Sequence, residues 1–288
     1  AQPYKGRNNL MARKNKNPDA MSFLDHLEDL RWHLIRATLS IVIAATVAFL
    51  FADFIFDYIL FAPKRSDFTT YRILCDISTW VGVDGGFCFT EDIPFRIQSR
   101  TMGGQFSAHI WTAITAGFII SFPYVIYEFW KFVAPAMKDN EKNNARGFII
   151  ISSLLFFAGV LFGYYVITPL SINFLGTYTV SEVVLNEFDL SSYISLVRAS
   201  VIASGLIFEL PIIIYFLTKV GVVTPMFLRT YRKYTLVIVL ILSAIITPPD
   251  IVSQIIVAIP ILILYEISIL ISAVIYKREQ KKLKKQQV

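Results

Sequence analysis

The side chains in this sequence that could do chemistry are carboxylates set beside or inside apolar runs. Asp25, Glu28 and Asp29 fall in FLDHLEDLR, residues 23–31, where Phe23, Leu27, Leu30 and Leu34 recur at spacings of three and four. That spacing predicts an amphipathic helix able to lie at a membrane interface before the first span. Its acids can cap the helix start and pair with Arg31 or His33, or they can present a carboxylate surface to a cationic ligand. Glu141 stands in FPYVIYEFWKFVAPAMKDNEKNNARG, residues 122–147. There an aromatic belt (Tyr124, Tyr127, Phe129, Trp130, Phe132) meets Pro135 and then Lys138, Asp139, Lys142 and Arg146. Aromatics followed by charge is how a span exits to water, so Glu141 is a carboxylate held next to a bilayer.

Two further acids lie inside apolar runs. Glu209, in GLIFELPIIIYFL, stands ten residues before Lys219, and Glu266 stands eleven before Lys277, so both are expected near mid-bilayer at similar depth. A carboxylate there is costly unless it is neutralised, faces a hydrated concavity or hydrogen-bonds a neighbouring helix. Together the two could also serve a proton-coupled transporter as a relay. Thr247 and Gln254 flank the turn Thr247-Pro248-Pro249-Asp250 between two short final helices. Such groups bond across helices, either within the chain or to a partner span. Gly159 and Gly163 have the small-xxx-small spacing of close helix packing.

The elements that must hold these groups are membrane spans. Of 288 residues 55% are hydrophobic and only 17% charged, with mean hydropathy +0.58. This excludes a soluble domain and predicts an all-α polytopic membrane protein. Soluble-enzyme signatures are missing: there is no Gly-Lys pair for a phosphate loop, and no HExxH, CxxC or GxSxG. No enzyme, cofactor or metal site is expected. His26, His33 and His109 are scattered. Net charge is +6, but its placement says more about orientation than about any nucleic-acid partner, for which nothing speaks.

Six apolar runs are long enough to count: 34–59, 106–133, 148–175, 193–217, 234–247 and 251–276. The fifth has 14 residues and reaches about 21 Å, short of a hydrocarbon core of roughly 30 Å, so it must be a short helix. Pro169 sits near the far end of the third run, and Pro260 is expected to kink the sixth. Residues 1–20 read as a disordered basic tail with no leader-like apolar core, 21–276 as the membrane domain and 277–288 as a solvated basic tail. Residues 1–36, 131–146, 219–233 and the tail hold 21 of the 27 Lys and Arg. Both termini are therefore expected inside, with 60–105 and 177–192 outside. Cys75 and Cys88 share that outer loop. In the oxidising compartment outside a bacterial inner membrane they could form a disulfide or remain two thiols.

HLEDLR at 26–31, Pro123…Tyr127…Trp130-Lys131-Phe132…Pro135…Glu141, FELP at 208–211 and TPPDIVSQ at 247–254 together resemble the TatC family, the core receptor of the twin-arginine protein translocase. The resemblance covers about residues 21–276 and implies a six-helix, glove-shaped concave bundle in the bacterial inner membrane. It implies that paired arginines of signal peptides are bound by the acid of the N-terminal motif, here Asp29 beside Glu28 and Arg31, together with Glu141 and an aromatic at Phe132. Asp29 departs from the family's usual Glu and shortens the reach by one methylene, so Glu28 could share the task. The resemblance further implies a functional intramembrane acid at Glu209, contacts for TatA-like and TatB-like single-span subunits at Thr247 and Gln254, assembly with other copies, and use of the proton gradient.

Overall fold

The computed structural model describes residues 23–82, 88, 92–133, 145–181 and 183–286. Helix α1 (Phe23–Leu50) is one uninterrupted helix. The amphipathic start expected at 23–31 is helical and runs into span one without a break. Between Leu30 and Leu34 the chain reads Arg-Trp-His, with no Gly or Pro, and a helix already nucleated gains one hydrogen bond for each residue added. The acids at 28 and 29 therefore ride on the first turns of the span itself. Beyond Leu50 the chain winds through Ala52–Phe54 and a wider turn, Ile55–Leu60, before leaving the bundle.

The described part of the segment between the first two spans is structured. Helix α2 (Thr69–Val81) is amphipathic and ends at Gly82, whose φ of 78° lies in the left-handed region open to glycine. Cys75 and Cys88 are bonded, with Cα atoms 4.6 Å apart. The buried Tyr71 hydroxyl donates toward the carbonyls of Pro63 (2.9 Å) and Pro169 (3.0 Å), tying α2 to the third span. Burial pushes that phenol far above its ordinary range, so it remains a donor. Strand β1 (Arg96–Gln98) pairs in parallel with β2 (Glu187–Asp189), Arg96 opposite Glu187 and Gln98 opposite Asp189. This pair joins the two loops expected outside, which the sequence alone does not connect. Three-residue strands are too short for an alternation signal.

Helix α3 (Gly104–Val133) is the second span. The third is α4 (Ala145–Phe162), continued through a wider turn at Gly163–Ile167 into α5 (Thr168–Thr177), where Pro169 takes a first-turn position that needs no N–H. The fourth is broken into α6 (Leu190–Ile207) and α7 (Leu210–Lys219), with Pro211 in the first turn of α7. Helix α8 (Arg232–Ile246) has 15 residues and rises only about 22 Å, the short fifth span expected. Helix α9 (Ile251–Gln286) runs 36 residues, so the basic segment after Tyr276 is helical through Gln286 rather than an irregular tail. It is exposed at Lys277, Arg278 and Lys281. Among the described residues five helices are long and apolar enough to cross a membrane: Leu27–Leu50, Gly104–Val133, Gly147–Thr177, Leu190–Lys219 and Ile251–Lys281. With α8 they make a six-span bundle.

Packing fixes two distinct ends. At the end carrying α2 and the strands, Tyr193 donates to the Leu60 carbonyl (2.7 Å) within a core that includes Phe68, Ile93 and Phe95. At the other, basic end, Trp130 of α3, Phe148 of α4 and Phe216 of α7 cluster with ring centroids 4.5–5.8 Å apart. Between the ends, α4 crosses α6 at glycine. A Cβ on Gly159 would stand 2.6 Å from the Ser204 carbonyl and 2.8 Å from Gly205 Cα.

Two outcomes follow from this packing. Gly159→Val puts atoms into backbone that cannot yield, and overpacking of this kind costs about 1–3 kcal/mol or more. Thermal unfolding of the purified chain in detergent should show a clearly lowered Tm, and an unchanged Tm would contradict the crossing. Asp189 caps α6 through the Ser191 hydroxyl and N–H and also accepts from the Arg100 N–H, and these bonds hold its carboxyl below the ordinary range. Because the folded pKa is depressed, its stabilisation is present above the unfolded carboxylate pKa and lost as pH falls through the folded one. Melting curves from about pH 5 downward should therefore fall less steeply for Asp189→Asn than for the native chain.

Candidate functional site

The face of α1 that meets α3 is set by helical spacing. Asp29, His33 and Arg36 recur at four and three residues, so they lie on one stripe with the buried Ala37. Asp29 and His33 are half-buried, while Glu28 and Arg31 are exposed and turned to another side. Opposite this stripe stands Glu128 of α3, only 2% exposed. His33 Nδ1 lies 2.6 Å from its Oε2. Arg36 Nη1 lies 3.7 Å from the same oxygen, and Lys131 Nζ lies 3.7 Å from Oε1. Lys131 also sits over the Tyr127 ring, 4.2 Å from its centroid, and Phe132 meets the His33 ring edge-on at 6.3 Å.

Glu128 did not stand out in the sequence. It is the sole acid between Gly104 and Val133, a signal that an intramembrane carboxylate always gives, but it is surrounded by the aromatics of the exit belt and reads as part of them. Of the residues that did stand out, Asp29 and Phe132 are brought to this cluster through His33, and Glu28 and Arg31 lie beside it on the solvent side. Glu141 lies outside the described residues.

The other intramembrane groups are separate. Glu209 sits at the break between α6 and α7, 7% exposed. Ser152 of α4 donates to its Oε2 at 2.7 Å, and its Oε1 is buried without a partner. Glu266 is not a buried companion. Its side chain is 51% exposed and accepts from Arg232 Nη2 at 2.6 Å, because the short α8 begins directly alongside it. Glu266 is thus ion-paired within the chain, whereas Glu209 has only the Ser152 hydroxyl. Thr247, 5% exposed, donates to the Ser243 carbonyl at 2.8 Å, and Gln254 Nε2 donates across to the Leu240 carbonyl of α8 at 3.0 Å. The Thr247 hydroxyl and one N–H of the Gln254 amide are thus used within the chain. Asp250 accepts from the Ser253 N–H (2.8 Å) and hydroxyl (2.7 Å), which starts α9 at once after the two prolines.

Residues 25–260 match the family profile described as TatC, Sec-independent protein translocase protein. The chain belongs to the TatC family. A TatC protein of Blattabacterium sp. subsp. Periplaneta americana is 43% identical over 259 residues, covering 90% of this chain and 97% of that protein. One from Aquifex aeolicus is 33% identical, covering 90% and 98%. Two crystal structures described as the twin-arginine translocase receptor TatC superpose with TM-scores of 0.62 and 0.67 at 32% and 33% identity. Each covers 86% of this chain and at least 97% of the solved one. The chain is accordingly a multi-pass membrane component of a protein translocase, and the six-span fold is that of the TatC structures.

Within this TatC fold, Glu128 clamps the start of span one to the end of span two. Glu128→Ala removes the acceptor for His33 and leaves Arg36 and Lys131 facing each other. Because both cations are roughly half exposed, the loss is discounted to about 1–3 kcal/mol. Glu128→Gln keeps an acceptor for His33 and should lose less. Limited proteolysis near residue 33 together with Tm would reveal this order, and equal behaviour of the two variants would remove the clamp.

Proposed function

We propose that this chain is the receptor and scaffold of a twin-arginine translocase. In this reading it binds the paired arginines of signal peptides where the first turns of α1 meet the end of α3. The observation that carries the reading is a division of labour between two acids. Glu128 is saturated by the chain's own His33, Arg36 and Lys131. Asp29, one helical turn outward on the same stripe, has no ion-pair partner among the described residues. A guanidinium arriving from outside therefore finds Asp29 open and Glu128 closed. Glu141 is proposed as the second carboxylate, with Phe132 covering the site and Glu28 able to assist Asp29.

The chemistry favours arginine over lysine. A guanidinium can bond a carboxylate through two parallel N–H groups, a geometry that an ammonium cannot copy. The apolar part of the leader would enter from the bilayer past Glu209. Thr247 and Gln254, at the tip of the two final helices, mark the region proposed to meet TatA-like and TatB-like single-span subunits, and further copies of the chain would complete the assembly. The proposed setting is a bacterial inner membrane with both termini cytoplasmic. The role is recognition and assembly rather than catalysis, with transport driven by the proton gradient.

The test is site-specific crosslinking of a twin-arginine signal peptide to membranes carrying Asp29→Lys or Glu141→Lys. A charge-assisted hydrogen bond contributes about 1.5–3 kcal/mol, so each reversal should lower crosslinking tenfold or more while membrane insertion is retained. A leader with both arginines changed to lysine should crosslink poorly to the native chain. Undiminished crosslinking in both variants would overturn the assignment.

A further inference from the structure

An open cavity of about 610 Å³ lies between the end of α1, the middle of α3, the α4 extension and the first turns of α6. Val47, Phe51, Ile119, Leu161, Tyr164 and Val201 give it an almost wholly apolar wall. Arg198 and Thr112 interrupt that wall beside Thr115, whose own hydroxyl is used on the Trp111 carbonyl. The Arg198 guanidinium lies over the Trp111 ring, 4.8 Å from its centroid, and its Nη2 donates to Ser195 Oγ at 3.4 Å. Among the described residues no carboxylate pairs with it. The Thr112 hydroxyl, in a residue 7% exposed, lines the same cavity without a hydrogen-bond partner.

Depth and size narrow the occupant. Arg198 and Trp111 stand eight and seven residues into helices that both start at the disulfide end, so each lies about 10–12 Å below that end. Helical side chains lean toward the helix N-terminus, which carries the guanidinium toward the nearer interface. An arginine is charged at every accessible pH, and within a membrane such a charge calls for an anion. A transmembrane helix, about 10 Å wide and 30 Å long, fills on the order of 2,000 Å³, over three times this cavity. A single hydrocarbon chain lies within the range of roughly 300–1,000 Å³ that small-ligand sites span.

We propose that this groove is a phospholipid site facing the leaflet at the disulfide end. The lipid phosphodiester lies on Arg198 and accepts a hydrogen bond from Thr112, and one acyl chain runs along Val47, Ile119 and Leu161. The site is independent of the signal-peptide face, which lies at the opposite end of α1 and α3.

Native mass spectrometry of the full chain in detergent, titrated with phosphatidylglycerol, tests this. One lipid should be retained per chain, and dioleoylglycerol, with the same tails and no phosphate, should bind at least tenfold more weakly. That comparison needs no variant. Arg198→Gln should abolish the preference between the two lipids, Arg198→Lys should keep part of it, and Thr112→Val should weaken phosphatidylglycerol about fivefold, the worth of one hydrogen bond. Equal retention of both lipids by the native chain, no retained lipid, or an unchanged preference in Arg198→Gln would overturn the site. So would displacement of the lipid by millimolar inorganic phosphate, which would mark a headgroup pocket without a chain groove. Retention of a copurifying helical peptide in place of lipid would reassign the groove to a protein partner.

Discussion

A carboxylate buried between two membrane helices has to be neutralised where it stands, and Glu128 is the case on which the basic end depends. Water is excluded there, so an unpaired charge would cost several kcal/mol. The chain meets this with groups from both helices, His33 and Arg36 on α1 and Lys131 on α3. The consequence is geometric as much as energetic. Because Glu128 is held by His33 and Arg36, three residues apart on α1, the rotation of α1 about its axis is fixed, and with it the side of the helix that carries Asp29. The carboxylate proposed for binding at position 29 is only as well aimed as the clamp one turn below it.

Glu209 meets the same physical problem with different means. No cation approaches it among the described residues, and Ser152 supplies one donor to one oxygen. It sits where the fourth span is broken ahead of Pro211, so the helix that carries it is interrupted at the level of its carboxyl. One Glu209 oxygen is left without a hydrogen-bond partner, whereas Glu128 is met on both oxygens. Two buried acids are thus satisfied to different degrees, and the difference lies in what stands across from them.

How much of this was legible in the sequence divides along the same line. Spans were readable because lipid imposes about 20 apolar residues on every crossing helix, and even the short α8 followed from counting. Charge placement gave a consistent expectation for orientation. Contacts between spans were not readable. Counting back from Lys277 placed Glu266 at the depth of Glu209, but nothing in the order of residues says that Arg232, 34 positions earlier, reaches its carboxylate at 2.6 Å. The strand pair escaped for want of length, and the continuity of α1 escaped because an amphipathic start and an apolar continuation look like two elements when no residue marks a boundary between them.

The disulfide end shows why the bundle can carry an open groove without collapsing. Its closures are covalent or backbone-directed: the Cys75–Cys88 bond, the β1–β2 pairing, and the tyrosine hydroxyls of Tyr71 and Tyr193 on carbonyls at the ends of spans one and three. None of these needs the apolar walls of the groove to touch each other. In water an apolar cavity open to solvent would be closed by the hydrophobic effect, but in a membrane lipid tails are as apolar as the walls, so closing the groove gains little. What remains unfavourable is the isolated Arg198, and that favours an anionic occupant rather than collapse. The fold can therefore keep a concave surface as long as its ends are pinned by polar and covalent links, which is what the tyrosines, the strands and the Glu128 clamp supply.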